Sequence, residues 1–218
     1  MAKHFKFTGE TKVNIIGKTL HRIQCVIDIE GVKAGDIGGW LEAEDNLSGN
    51  AWISGDAEVY GDAEVSDDAR VYGNARVYGN ARVYGNAEVS GNARVYGNAE
   101  VSGNARVSGN ARVYGNAEVS GNAWVYGNAW VYGDAGVYGD AEVSGNADYC
   151  FFQSFGSANR TTTVFKQKDS SLRVRCGCFD GGLSEFAAIV EKTHGDSKYG
   201  REYRAMIELI KVRFGIEE

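Results

Sequence analysis

A chain of 218 residues can hold one large domain or two small ones, and 43% apolar residues are enough for a buried core. Its 30 glycines come without a single proline, which excludes ordinary Gly-rich disorder and favours a regular architecture that depends on glycine. The formal net charge of -6 argues against a general nucleic-acid binder, because that task needs a basic surface to neutralise phosphates.

The four cysteines, Cys25, Cys150, Cys176 and Cys178, follow no disulfide-framework spacing. The N-terminus lacks the apolar stretch of a signal peptide, and no run reaches the roughly 20 apolar residues that span a bilayer. These features predict a protein of the reducing cytosol with no membrane association.

In chain order, residues 1-46 are expected to form an N-terminal β cap and entry segment. Phe5-Lys6-Phe7 and the run from Val13 to Ile29 read as strands, with Ile15, Ile16, Leu20, Ile23, Cys25 and Ile27 as apolar positions. A cap is needed because an open solenoid end exposes unpaired backbone and apolar core.

From 47 to 148 the sequence repeats Val-x-Gly-Asn-Ala-x. The aliphatic position recurs every sixth residue from Leu47 to Val143, and (143 minus 47)/6 plus 1 gives 17 repeats. Positions six apart would rotate around an α-helix without forming a stripe, so the unit is a short strand and a corner. In a strand Ala75 and Val77 point one way while Arg76 and Tyr78 point the other. The Gly73-Asn74 pair and its equivalents make the turn, since both residue types accept positive φ. Such a strand buries one face and must stack on copies of itself.

This repeat resembles the hexapeptide-repeat family of left-handed parallel β-helices. The resemblance implies a three-sided, left-handed coil of 18 residues, so 17 repeats make about 5.7 coils and a prism about 27 Å long. The entry segment Val32-Lys-Ala-Gly-Asp-Ile-Gly-Gly-Trp40 resembles the one preceding the coils in a group of bacterial hexapeptide-repeat proteins that carry a transferase label. Many acyltransferases share the fold, but fold alone does not give function. Acyltransferases of this type use a His general base on or beside the coil, and often an extruded loop over the donor. Here His4, His21 and His194 all lie outside the coils, and the repeats run without insertion.

After Tyr149 the pattern changes, and residues 149-218 are expected to form a C-terminal ββαα domain. Thr161-Lys168 and Leu172-Phe179 read as a hairpin around Asp169-Ser170-Ser171. Two amphipathic helices follow, one presenting Leu183, Phe186, Ile189 and Val190, the other Tyr199, Tyr203, Met206, Ile207, Ile210 and Phe214. The stretch from Cys176 to Phe186, continuing to His194-Gly195, resembles a module of phage and prophage proteins and implies a phage-encoded chain.

Arranged in coils of 18, the outward position after the aliphatic residue is Tyr60, Tyr78, Tyr96, Tyr114 and Tyr132 on one side, and mostly serine on the other two. This tyrosine ladder is the expected interface, because exposed tyrosine brings contact area at little entropic cost, although stacked aromatics also stabilise coils in their own right. A second side is expected to carry Arg76, Arg94 and Arg112, stacked like charges that repel unless acids such as Glu88, Glu100 and Glu118 or an anionic partner intervene. Asp56, Asp62, Asp68, Asp134 and Asp140 read as turn residues rather than calcium ligands, and Trp124 and Trp130 as covered by the C-terminal domain. Cys176, Cys178 and His194 could form a Cys-His nucleophile or, with Asp180, a metal site; buried thiols beneath helices are the competing reading.

The sequence therefore predicts a non-catalytic scaffold with no cofactor and no metal, binding a protein partner or self-associating as a trimer or other homo-oligomer. It leaves room for a phage inhibitor of a host factor. The alternative is an acyl-CoA-dependent transferase with a non-standard base. Nucleic-acid mimicry is a third reading, but the coils hold 6 Lys+Arg against 13 Asp+Glu, a net of -7 in which Arg70, Arg76 and Arg82 interrupt any continuous negative track.

Overall fold

The structure, a computed structural model, describes residues 3-216; residues 1, 2, 217 and 218 of the terminal segments lie outside the described residues. Three parallel sheets run along one axis, and each strand pairs with the strand 18 residues on, as in Val77↔Val95 and Val95↔Val113. About six coils result. The chain is thus mainly β, a parallel β-solenoid.

Face 1 holds strands Glu58–Gly61, Arg76–Gly79, Arg94–Gly97, Arg112–Gly115 and Trp130–Val131. Face 2 holds Glu64–Val65, Arg82–Val83, Glu100–Val101, Glu118–Val119 and Gly136–Val137; face 3 holds Trp52–Ile53, Arg70–Val71, Glu88–Val89, Arg106–Val107, Trp124–Val125 and Glu142–Val143. The inward Ala and Val of every coil are fully or almost fully buried, so the small-plus-branched alternation fills the narrow interior.

The corners divide the turn chemistry between two residues. Glycine takes the positive φ, for example Gly97 at 76°, whereas the following Asn does not. The asparagines instead form amide ladders: Asn80 Nδ2 donates to Asn98 Oδ1 at 3.1 Å, Asn98 to Asn116 at 3.0 Å, and Asn116 to Asp134 at 2.9 Å. Asp134 and Asp140 accept from the last asparagines of their ladders in the final coil, where no further donation is needed, and an aspartate can accept but not donate. Asp68, which accepts from Asn50, is likewise a turn residue in a ladder.

The N-terminal cap is a three-stranded antiparallel sheet of Phe5–Val13, Thr19–Cys25 and Ile37–Leu41, the last pairing parallel with Glu58–Gly61. Face 1 and the cap therefore form one eight-stranded sheet. A Cβ at Gly38 would lie 2.7 Å from the Ile53 carbonyl oxygen, so the Gly-Gly pair before Trp40 lets the cap seat directly on the first coil. Ile15, Ile16 and Ile27 were expected among the cap's apolar positions, but they occupy turns and are exposed.

At the other end a four-stranded antiparallel sheet, Tyr149–Phe155, Arg160–Lys166, Leu172–Cys176 and Phe179–Gly182, precedes α1 (Leu183–His194) and α2 (Lys198–Phe214). The domain is ββββαα rather than ββαα; the predicted hairpin forms its two central strands. Phe165 and Tyr149 insert into the solenoid core, and Thr163 Oγ1 accepts from Gly136 N at 3.2 Å, so the sheet plugs the last coil. Its opposite side packs on Phe186 and Val190 of α1 and on Tyr203, Met206, Ile207 and Ile210 of α2. Ile189 and Tyr199 were expected inside and are exposed. Among the described residues no helix is long and apolar enough to cross a membrane.

Candidate interaction face

Face 1 carries both of the rows singled out in the sequence. Arg76, Val77 and Tyr78 are consecutive in one strand, so the arginine and the tyrosine, two residues apart, project from the same outer surface. This corrects the expectation that the arginines occupy a second side. Two parallel rows run down one face, and the register Arg76↔Arg94↔Arg112 and Tyr60↔Tyr78↔Tyr96↔Tyr114 keeps each in line.

The tyrosine rings stack at 4.9 Å between centroids with interplanar angles of 1-4° from Tyr60 to Tyr114, and at 5.3 Å between Tyr114 and Tyr132. The ladder is less exposed than expected. Tyr60 is buried beneath Leu20 and Trp40, the central rings are half-buried, and Tyr132 alone is exposed. Ring faces are spent on neighbouring rings, which leaves edges and hydroxyls for solvent. Burial raises the phenol pKa values of Tyr78, Tyr96 and Tyr114 and pushes Tyr60 up to about 12, so all four are neutral donors at physiological pH.

The other two faces mix the two signs, although face 2 also stacks Glu100 on Glu118. On face 3 the register Arg70↔Glu88↔Arg106 alternates sign, and Arg106 lies 3.7 Å from Glu88. On face 2 Arg82 lies 3.3 Å from Glu100. Their tyrosine hydroxyls are also engaged: Tyr72 donates to Glu88, Tyr84 to Glu100, Tyr126 to Glu142 and Tyr138 to Glu118.

Face 1 has a different balance. Glu58 pairs with Lys12 at 2.8 Å and Arg76 at 3.4 Å, which settles the upper end of the row. Among the described residues Arg94 and Arg112 have no acidic partner, and the hydroxyls of the ladder tyrosines have no hydrogen-bond partner. Arg112 lies over the Trp130 ring at 4.7 Å, and Trp130 occupies the next position in the arginine row. Trp124 and Trp130 are 42% and 39% exposed, so the C-terminal domain does not cover them. A groove of about 570 Å³ runs between the arginine row and the corner asparagines Asn74, Asn92 and Asn110.

The remaining cysteine and histidine candidates of the C-terminal domain, Cys176, Cys178 and His194, gather around one small cavity without direct contact between thiol and imidazole. Cys176 ends its strand, while Cys178 sits exposed in the following turn, where Gly177 takes φ 61°; the two thiols do not share a strand face. Cys176 Sγ lies 3.7 Å from the Tyr203 hydroxyl, and the His194 ring stacks on Tyr203 at 5.5 Å. All three residues line one cavity of about 300 Å³, yet no Cys-His hydrogen bond joins them among the described residues. No group of three or more His, Cys, Asp or Glu could hold a metal ion among the described residues. Burial lowers the His4 pKa, and its Nε2 donates to the Ala51 carbonyl at 2.9 Å. His21 stacks on Phe7 at 4.7 Å.

Fold and face together define a repeat β-solenoid with one side left chemically open. The repeat itself is similar to the YdcK beta solenoid repeat, which matches in overlapping windows at residues 69–85, 75–90, 87–103, 99–115, 105–121, 111–127 and 117–133. No curated protein matches the chain. The matched windows contain Arg76, Arg94 and Arg112 and four of the ladder tyrosines, Tyr78, Tyr96, Tyr114 and Tyr132.

Proposed function

We propose that this protein is a non-catalytic binding scaffold that docks a macromolecular partner on face 1. The observation that carries the reading is the contrast between faces. Faces 2 and 3 engage their arginines with glutamates or, for Arg70, with backbone carbonyls and satisfy their tyrosine hydroxyls, whereas on face 1, among the described residues, Arg94 has no acidic partner, Arg112 meets only the Trp130 ring and a line of phenols is open. Stacking like charges costs stability, so their retention favours a use outside the fold. The rigid prism fixes the spacing of these groups before binding, which lowers the ordering cost of association.

A protein surface and a further copy of this chain are the partners the sequence favours. The resemblance of the C-terminal module to phage proteins extends the proposal to a phage-encoded chain that inhibits a host factor by occupancy. The test is affinity capture from the cells that encode the protein, followed by identification of whatever is retained. Wild-type chain retains a partner that the Arg94→Glu/Arg112→Glu variant loses, while far-ultraviolet circular dichroism stays unchanged. Retention of the same molecules by both forms would overturn the proposal.

A further inference from the structure

Cys178 is exposed, whereas Cys25 and Cys176 are buried and Cys150 is half-buried. We propose that Cys176 and Cys178 form a thiol-disulfide exchange site for small disulfides of the glutathione class, in which Cys178 makes the first attack and Cys176 resolves the mixed disulfide. The site lies in the C-terminal domain and is independent of the reading of face 1. Gly177 and Cys178 form the two-residue turn between Leu172–Cys176 and Phe179–Gly182, where Cys176 pairs with Phe179. Gly177 supplies the φ of 61° that such a turn needs at its first central position. Two residues of extended chain span at most about 7 Å, and a turn shortens that span. The pair therefore falls within the roughly 4.4-6.8 Å between Cα atoms that a disulfide requires. Both side chains line the same cavity of about 300 Å³. Packing under the helices accounts for a buried Cys176 but not for an exposed cysteine two residues on.

The surroundings set this pair apart from the other cysteines. A Cβ on Gly177 would collide with Arg160 Nη1, so the bare glycine lets this guanidinium rest on the turn, beside the sulfur that attacks as an anion. Burial pushes the Tyr203 phenol up to about 12, so it keeps its proton and can donate to Cys176 Sγ, 3.7 Å away, as that sulfur becomes a thiolate. Burial also pushes the Cys150 thiol up to about 11, which leaves it a protonated, poor nucleophile at neutral pH. The exchange runs in two steps. The Cys178 thiolate attacks one sulfur of the small disulfide, forming a mixed disulfide and expelling one small thiolate. Cys176 then gives up its proton to that thiolate or to water and attacks the Cys178 sulfur, forming the Cys176-Cys178 bond and expelling the second small thiolate. The two cysteines are oxidised by two electrons and the small disulfide is reduced to two thiols. The change is a stoichiometric modification, undone by excess thiol in a reducing compartment.

The test exposes the reduced full chain to glutathione disulfide and follows it by intact and peptide mass spectrometry. The expected product is a chain lighter by two hydrogens, with Cys176 joined to Cys178, Cys25 and Cys150 still reduced, and the bond reopened by added glutathione. Cys176→Ser should keep a lasting glutathione adduct on Cys178, because nothing resolves it, and Cys178→Ser should lose the fast reaction. Arg160→Gln should slow the first step severalfold. Tyr203→Phe should slow the second, seen as a mixed disulfide that accumulates, with circular dichroism unchanged in both. Arg94→Glu/Arg112→Glu on face 1 should react as the wild-type chain does, so this site and that face stand or fall separately. No reaction, a lasting adduct on Cys178 in the wild-type chain, a bond between chains, or equal reaction at Cys25 or Cys150 would overturn the inference. So would indifference to both Arg160→Gln and Tyr203→Phe, since the fold would then contribute nothing beyond the spacing of two thiols.

Discussion

Replacing Arg94 by Gln should stabilise the solenoid, although most surface substitutions are neutral or worse. Arg94 sits in register between Arg76 and Arg112 and has no acid to offset them. At the 4.9 Å coil spacing each like-charge neighbour costs about 0.8 kcal/mol in water, and physiological salt screens that to about half. Arg76 is already shared with Glu58, so most of the repulsion comes from Arg112, and the net gain should be about 0.4-0.8 kcal/mol. With a urea m-value of about 2 kcal/mol/M, the midpoint rises by a few tenths of a molar. Arg106→Gln is the control: it breaks the contact with Glu88 and should lower stability by a few tenths of a kcal/mol. Both shifts should shrink in 0.5 M salt. If Arg94→Gln destabilises as Arg106→Gln does, or if its effect ignores salt, the row is structural and the argument from unneutralised charge fails.

Three further outcomes follow from the coil geometry. Gly97→Ala should destabilise by about 2-4 kcal/mol, seen as a lowered urea midpoint, because its Cβ would meet Gly115 backbone N and O at 3.0 and 3.1 Å in a φ 76° conformation. Asn98→Asp keeps the acceptor for Asn80 but cannot donate to Asn116; it should cost about 1 kcal/mol at neutral pH, and the cost should shrink at pH values low enough to protonate the new carboxyl, read from the same midpoint. The ladder phenols hold their protons more tightly folded than unfolded. Their stabilising contribution is therefore intact below the ordinary tyrosine pKa near 10 and is lost as pH rises toward about 12, the value for Tyr60; absorbance at 295 nm should show a late-titrating class that disappears in denaturant.

Much of the solenoid is legible in sequence because one rule governs every coil. The six-residue period fixes which residues face inward, and the buried Ala and Val positions are those the alternation selects. The tyrosine register is legible too, once coils of 18 are aligned. The placement of the arginines is misread when sides are compared without following a single strand: Arg76 and Tyr78 are two residues apart and so share one outer surface. What the stack does to ring faces is not a property of any one tyrosine, and no residue-level pattern shows that Tyr60 lies under Trp40. In the C-terminal domain Tyr149–Phe155 escapes because it continues directly from the last coil, and Phe179–Gly182 because two of its four residues are glycine. Cys176 and Cys178 look like strand neighbours until the turn at Gly177 separates them. The openness of Arg94 and Arg112 depends on which acids reach across coils, a matter of distances.

The most direct test of the account compares three double charge reversals in one capture experiment: Arg94→Glu/Arg112→Glu on face 1, Arg82→Glu on face 2 with Arg106→Glu on face 3, and Lys198→Glu with Arg201→Glu on α2. Partner retention should be lost for the first alone, with all three variants folded by circular dichroism. Equal loss across the three, or loss only for the second or third, would contradict the claim that face 1 is where this protein acts.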